Sequence, residues 1–229
     1  ESVGLALVIL ADRSGSMADP GPVVGQSRME SQRKLITDLR SNKLIDVDLV
    51  GLIGFHEEQD PQLPLSNDVN LILNAVDIMD AVPDRNTSLF DTAGRAIEWL
   101  TDNSDPGQRA KLRRMRKAIL IFSDGVDTTS QSWRKEDVRD RALANDIRFY
   151  TVGINSAPGA AVRFPANAAD LQWLAEQTGG RHTAITTEAD QTDLNSFFDQ
   201  LVSQRQQYRL SYQTQASKGA HPIRVQVTT

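Results

Sequence analysis

The chain has 229 residues, of which 39% are hydrophobic and 24% charged, with a net charge of -5 and no cysteine. That length holds one sizeable α/β core and is short for two, and the acidic balance argues against nucleic acid as the main partner. The lack of cysteine excludes disulfides and thiolate metal sites, and the three histidines, His56, His182 and His221, form no H-x-x-H or H-E-x-x-H pattern that would suit zinc or histidine catalysis.

The chain begins at Glu1 rather than Met and enters its first strand almost at once, which reads as a processed or truncated piece from which any signal peptide or anchor would have been lost. Leu5 to Leu10 form an unbroken apolar run, the pattern of a parallel strand covered on both faces. The chemistry then changes at Asp12-Arg13-Ser14-Gly15-Ser16. Asp12, Ser14 and Ser16 carry oxygen at alternate positions, and Gly15 loosens the backbone so that they can converge. Such donors suit a hard cation, Mg2+, Mn2+ or Ca2+, although the same residues are ordinary turn formers.

Residues 17–27 hold two prolines and two glycines and read as an irregular excursion, either a ligand contact or a tolerated surface loop. A helix over about 28–40 points Met29, Ile36 and Leu39 inward and Arg28, Arg33, Lys34 and Arg40 to water. A second strand is predicted over 46–55, and His56 at its mouth reads as a surface or hydrogen-bonded residue rather than a ligand. Residues 62–65 read as a short edge strand, because Pro61 and Pro64 are tolerated mainly at edges. Ile72, Ala75, Val76 and Met79 then follow helical spacing. Asn86-Thr87-Ser88 open a further helix bearing Leu89, Ala93, Ala96, Ile97 and Leu100; the turn reads as a cap, as a metal donor through Thr87, or as both. Asp91 reads as a partner of the helix dipole or an acceptor behind a ligand.

Lys111, Arg113, Arg114, Arg116 and Lys117 form a basic run without interleaved aromatics, a solvated segment end rather than a nucleic-acid or membrane patch. The apolar strand 118–122 ends in Ser123-Asp124-Gly125, which puts a second carboxylate where a second strand stops. Asp127 reads equally as a water-mediated metal contact or a loop cap. There follow a helix over 134–145, a strand over 147–152, and a Gly, Ala and Pro loop over 155–166. A helix bearing Leu171, Leu174, Ala175 and Thr178 is ended by Gly179 and Gly180. A strand over 182–185 and one long helix bearing Leu194, Phe197, Phe198, Leu201 and Val202 complete the pattern. The alternation predicts an α/β fold, a doubly wound, mostly parallel sheet flanked by helices. Residues 208–213 and 223–227 alternate about a turn, which predicts a C-terminal β-hairpin. The chain thus divides into 1–205 and 206–229, the latter a sheet-edge extension or the start of a further β-domain.

With D-x-S-x-S at 12–16, Thr87 in a later polar turn and Asp124 at a second strand end, the chain resembles the von Willebrand factor type A (VWA) family over roughly residues 3–205. These three motifs, in this order, resemble its metal-ion-dependent adhesion site (MIDAS). The resemblance implies a Rossmann-like fold, metal ligands Asp12, Ser14, Ser16, Thr87 and Asp124, and Mg2+ (or Mn2+ or Ca2+) as cofactor. It implies a protein partner that completes the coordination with a Glu or Asp carboxylate, hence an adhesion or recognition domain and not an enzyme. Motion of residues 190–205 on ligand binding is expected by analogy, as is an extracellular or cell-surface location like that of bacterial relatives. No run approaches the roughly 18 apolar residues of a spanning helix, so no direct membrane insertion is expected of this piece.

Two other classes fit less of the sequence. Mg2+-dependent phosphoryl transfer asks for a second acid two residues after the nucleophilic carboxylate, where this chain has Ser14. A VWA subunit of an ATP-driven chelatase or chaperone-like assembly would be cytoplasmic and would need its ATPase on another chain, since no G-x-x-x-x-G-K-[ST] occurs here.

Overall fold

Every residue of β1 (Leu5–Asp12) is buried, because this strand lies in the middle of a sheet covered on both faces. The computed structural model describes residues 4–83, 86–102, 105–125 and 127–205. After β1 and a short 3-10 turn (Gly15–Ala18) come α1 (Arg28–Lys43), β2 (Leu49–Phe55), β3 (Gln59–Ser66), α2 (Val69–Asp77), α3 (Leu89–Thr101) and α4 (Pro106–Leu112). They are followed by β4 (Arg116–Ser123), α5 (Lys135–Ala144), β5 (Ile147–Ile154), α6 (Ala169–Gln177), β6 (Arg181–Ile185), α7 (Glu188–Asp193) and α8 (Asn195–Ser203). The six strands lie in the order β3-β2-β1-β4-β5-β6, and each neighbouring pair is parallel except β2 with β3. This is the doubly wound, mostly parallel sheet that the alternation predicts.

The unbroken apolar run of β1 serves two cores, since successive side chains point to opposite faces. Leu5, Leu7, Ile9 and Ala11 join Leu35, Ile36 and Leu39 of α1, Ile72 and Val76 of α2, and Phe197 and Phe198 of α8. Ala6, Val8 and Leu10 join Ala93 and Ile97 of α3, Val138 of α5 and Leu171 of α6. Phe197 meets Tyr150 of β5 edge to face, with ring centres 5.8 Å apart.

Several elements differ from expectation, each for a physical reason. β2 starts at Leu49 rather than 46, because Asp48 turns inward to accept from the backbone N–H groups of Leu5 and Ile45. β3 is longer than 62–65, and two register shifts against β2 accommodate its prolines. α4 was not expected; Asp105 caps it through the Gly107 N–H, and Pro106 occupies its first turn. The single helix expected near the end is two helices that meet at buried Leu194, α7 being started by a Thr187/Asp190 capping box. Arg28 and Arg40 of α1, expected to face water, are both buried; Arg40 donates to the Leu44 carbonyl at 3.2 Å. His56 is buried and takes the hydrogen-bonded one of its two readings, its Nδ1 accepting from the Glu58 N–H. The predicted hairpin lies outside the described residues. Among those described, no helix is long and apolar enough to cross a membrane.

Candidate metal centre

β1 and β4 are neighbours, parallel and in register from Leu5 with Arg116 to Ala11 with Phe122. The chain runs from β1 to β2 on one side while β4 to β6 lie on the other, so the strand order reverses between β1 and β4. Ligands of doubly wound sheets bind at the carboxyl ends of the strands at such a reversal, and Asp12 and Ser123-Asp124 stand there.

Asp12 is fully buried. Its Oδ1 accepts from the Ser14 N–H at 2.7 Å and its Oδ2 from the Ser123 hydroxyl at 2.5 Å. Its carbonyl accepts from Nε2 of Gln32, which reaches it from α1. Ser14 and Ser16 touch through their hydroxyls at 3.0 Å, and the Ser16 hydroxyl donates to Oδ1 of Asp124 at 2.9 Å. A continuous polar chain therefore joins the two strand ends. Ser14, Ser16, Thr87 and Asp124 line one cleft of about 480 Å³, and Asp12 lies beneath it. The structure thus brings all five sequence-predicted residues to one end of the sheet, four at the surface of the cleft and one behind it.

The electrostatics are strained in a particular direction. Burial, reinforced by the neighbouring Asp124 carboxylate and opposed by the hydrogen bonds from Ser123 and Ser14, pushes the Asp12 carboxyl up to about 7. Burial also raises Asp124, against the pull of the Arg28 guanidinium. Two desolvated carboxylates side by side favour any cation that joins them. Among the described residues no three His, Cys, Asp or Glu side chains converge. A cation here would therefore be held by hydroxyls as much as by carboxylates, an all-oxygen set that fits Mg2+ or another hard divalent ion.

Thr87 is positioned by its backbone. Its N–H donates to the Thr128 hydroxyl at 2.8 Å, and its carbonyl accepts from the N–H groups of Thr128 and Thr129. The neighbouring Ser88 hydroxyl does not cap α3 but donates to the His56 carbonyl at 2.6 Å. The cap is supplied by Asp127, whose Oδ1 accepts from the Phe90 N–H, so Asp127 takes the loop role of its two readings. Asp91 accepts from the backbone N–H groups of Gln131, Ser132 and Trp133, which fixes the loop after Asp124.

Three residues of the site were missed in the sequence. Arg28 pairs with Oδ2 of Asp124 and donates through Nη2 to the Ser156 hydroxyl and the Phe164 carbonyl. Asp19, also buried, accepts from the N–H groups of Arg163 and Phe164. The 17–27 excursion is therefore folded against the 155–166 loop rather than loose on the surface. Ser123, which stands at a strand end in the sequence, supports Asp12 directly. A signal for Arg28 was present: Ser27-Arg28-Met29-Glu30 is a capping box that starts α1, and an arginine in a first helical turn opposes the helix dipole.

A family model described as von Willebrand factor type A domain matches residues 6–200. No curated protein matches the chain. Among solved structures it is similar to the conserved hypothetical protein BatB from Bacteroides thetaiotaomicron, with TM-score 0.67 and 18% identity, covering 88% of this chain and 98% of that one. It is similar also to an aerotolerance-related membrane protein from Bacteroides fragilis, with TM-score 0.64 and 20% identity over 86% and 99% of the two chains. Proximal thread matrix protein 1 from the mussel byssus, in a form with a zinc-occupied MIDAS motif, matches with TM-score 0.61 and 12% identity over 88% and 45%. At these identities the likeness is one of fold.

Proposed function

The chain belongs to the von Willebrand factor type A domain family, and on that premise we propose that it is a divalent-metal-dependent protein-recognition domain. Asp12, Ser14, Ser16, Thr87 and Asp124 would hold the metal, Mg2+ in the first instance, and a Glu or Asp carboxylate of the partner would complete its coordination. The observation that carries this reading is the pair of buried carboxylates at adjacent strand ends, linked by the Ser14 and Ser16 hydroxyls beneath an open cleft. A bound divalent cation supplies positive charge and an open coordination position to an incoming carboxylate.

The chain's own residues set the rest. The serine and threonine hydroxyls are neutral donors that leave much of the cation's charge uncompensated. Arg163 and Phe164 stand at the rim, their backbone held by Asp19. Phe164 is 52% exposed and offers apolar contact to a partner. VWA domains are in general interaction modules. The location that accords with this reading is extracellular or at the cell surface, as the description of one neighbour as a membrane protein also favours.

Calorimetric titration of metal-stripped protein with Mg2+, Mn2+, Ca2+ and Zn2+, beside Asp12→Ala, tests the proposal. Uptake near one equivalent by the wild type and none by the variant is expected. Equal uptake by both would overturn it.

A further inference from the structure

Arg28 is 1% exposed, and its guanidinium contacts Asp124, one of the proposed metal ligands. Burying an arginine is costly unless it is paired, and its position in the first turn of α1 is one where the helix dipole disfavours a cation. A neutral donor such as glutamine would bond Asp124 without either cost, but lacks the fork that also reaches Ser156 and the Phe164 carbonyl. The fork accounts for those two bonds, and the charge placed beside Asp124 is the feature left to be explained.

The two oxygens of Asp124 are divided between two neighbours. Oδ2 pairs with Arg28, while Oδ1 accepts from Ser16, which lines the cleft. Arg28 thus neutralises Asp124 from behind and leaves its other oxygen toward the centre. Arg163 and Asp19 at the rim pair with each other, so with metal bound and both carboxylates ionised Asp12 and Asp124 against the Arg28 guanidinium leave one net negative charge. A divalent cation then retains one positive charge, which one carboxylate from a partner neutralises. Without Arg28 the metal alone would balance the centre, and a partner's carboxylate would bring an excess.

We infer that Arg28 is a resident counter-cation, which loosens metal binding by the free domain and strengthens the hold of the loaded centre on a carboxylate. Metal and partner then bind with positive coupling, each tightening the other. This rests on the metal-dependent reading above and adds to it the residue that sets the charge.

The experiment is titration of Mg2+ into metal-stripped wild type, Arg28→Lys and Arg28→Gln. Lysine keeps the charge and loses the fork that also bonds Ser156 and Phe164, so it separates charge from loop support. Removing a unit charge next to the centre should tighten Mg2+ binding by about tenfold or more in Arg28→Gln, with Arg28→Lys staying within about threefold of wild type. Replacing sodium chloride by sodium acetate at equal ionic strength should tighten Mg2+ binding to the wild type and leave Arg28→Gln unchanged. Equal or weaker Mg2+ binding by Arg28→Gln, or an acetate effect of the same size in both, overturns the inference while the metal reading stands. Failure of all three proteins to take up Mg2+, Mn2+, Ca2+ or Zn2+ overturns both. If Arg28→Gln does not fold without metal, the wild type decides: Mg2+ binding tightened by acetate supports the inference, and Mg2+ binding indifferent to acetate overturns it.

Discussion

Asp12 spends both carboxylate oxygens inside the protein, on the Ser14 N–H and the Ser123 hydroxyl, and is still pushed up to about 7 by burial and by Asp124. The folded, metal-free domain therefore holds its proton more tightly than the unfolded chain, whose aspartates titrate near about 3.9. Between about pH 4 and 7 the folded state binds more protons than the unfolded, so metal-free stability falls as pH rises through that window. Mg2+ favours the ionised form and should flatten the slope, so thermal melting from pH 4 to 8 with and without Mg2+ checks this; a flat metal-free profile would count against it. Asp12→Asn removes the buried charge and should raise metal-free stability at pH 7.5 by about 1–3 kcal/mol, net of weakened hydrogen bonds to Ser14 and Ser123. The same variant should show no Mg2+-induced shift in melting. Thr87 is distinguished from a cap residue by Asp127, which serves the α3 N-terminus in its place. Thr87→Val should accordingly change stability by less than about 1 kcal/mol while weakening Mg2+ binding, both measurable by calorimetry.

The elements that carry the site depend on contacts that are local in space and distant in sequence. Gly94 on α3 lies flat against the indole of Trp133, where a Cβ would overlap the ring. Trp133 belongs to the loop that Asp91 fixes, so one face of α3 and the segment after Asp124 are a single packed unit. Gly94→Ala should destabilise the domain by about 1–3 kcal/mol through this overpacking, read as a lowered urea midpoint with an unchanged slope. Such pairs also mark how far the sequence was legible. β1, β4 and the D-x-S-x-S, Thr87 and Asp124 motifs could be read because apolar runs and strand-end chemistry are local properties. The Ser27 and Asp105 caps were equally local, but their hydroxyl and carboxylate are common in any loop, and α4 went unread. Arg28 could not be placed inward from helical periodicity, because its partner Asp124 lies 96 residues away in the chain. Leu194, where α7 meets α8, is buried in the core cluster that holds Leu35 and Tyr150, a placement that periodicity within 188–203 does not announce.

Across the whole molecule the two ends of the sheet do different work. The carboxyl ends of β1 and β4 carry two carboxylates whose charged form burial disfavours, whereas the opposite end holds a buried ion pair. There Asp48, 1% exposed, accepts from the Leu5 and Ile45 N–H groups and from Arg205, whose side chain is 11% exposed. Arg205 also donates to the Lys43 carbonyl at 2.9 Å, so one ion pair ties together the start of β1, the turn before β2, the end of α1 and the residues after α8. Removing one partner of a buried pair strands the other, and Arg205→Ala should lower unfolding free energy by about 3–5 kcal/mol. The eight residues of β1 separate Asp48's contacts from the metal centre by roughly 25 Å at about 3.3 Å per residue, and perturbations so far apart with no shared partner act independently. Under conditions where the variant remains folded, its Mg2+ affinity should therefore equal that of the wild type, as urea denaturation and calorimetry on one preparation would show. A fall in affinity in step with the fall in stability would mean that the sheet transmits strain between its ends, and that α8, which Arg205 anchors, is part of the recognition device rather than of its scaffold.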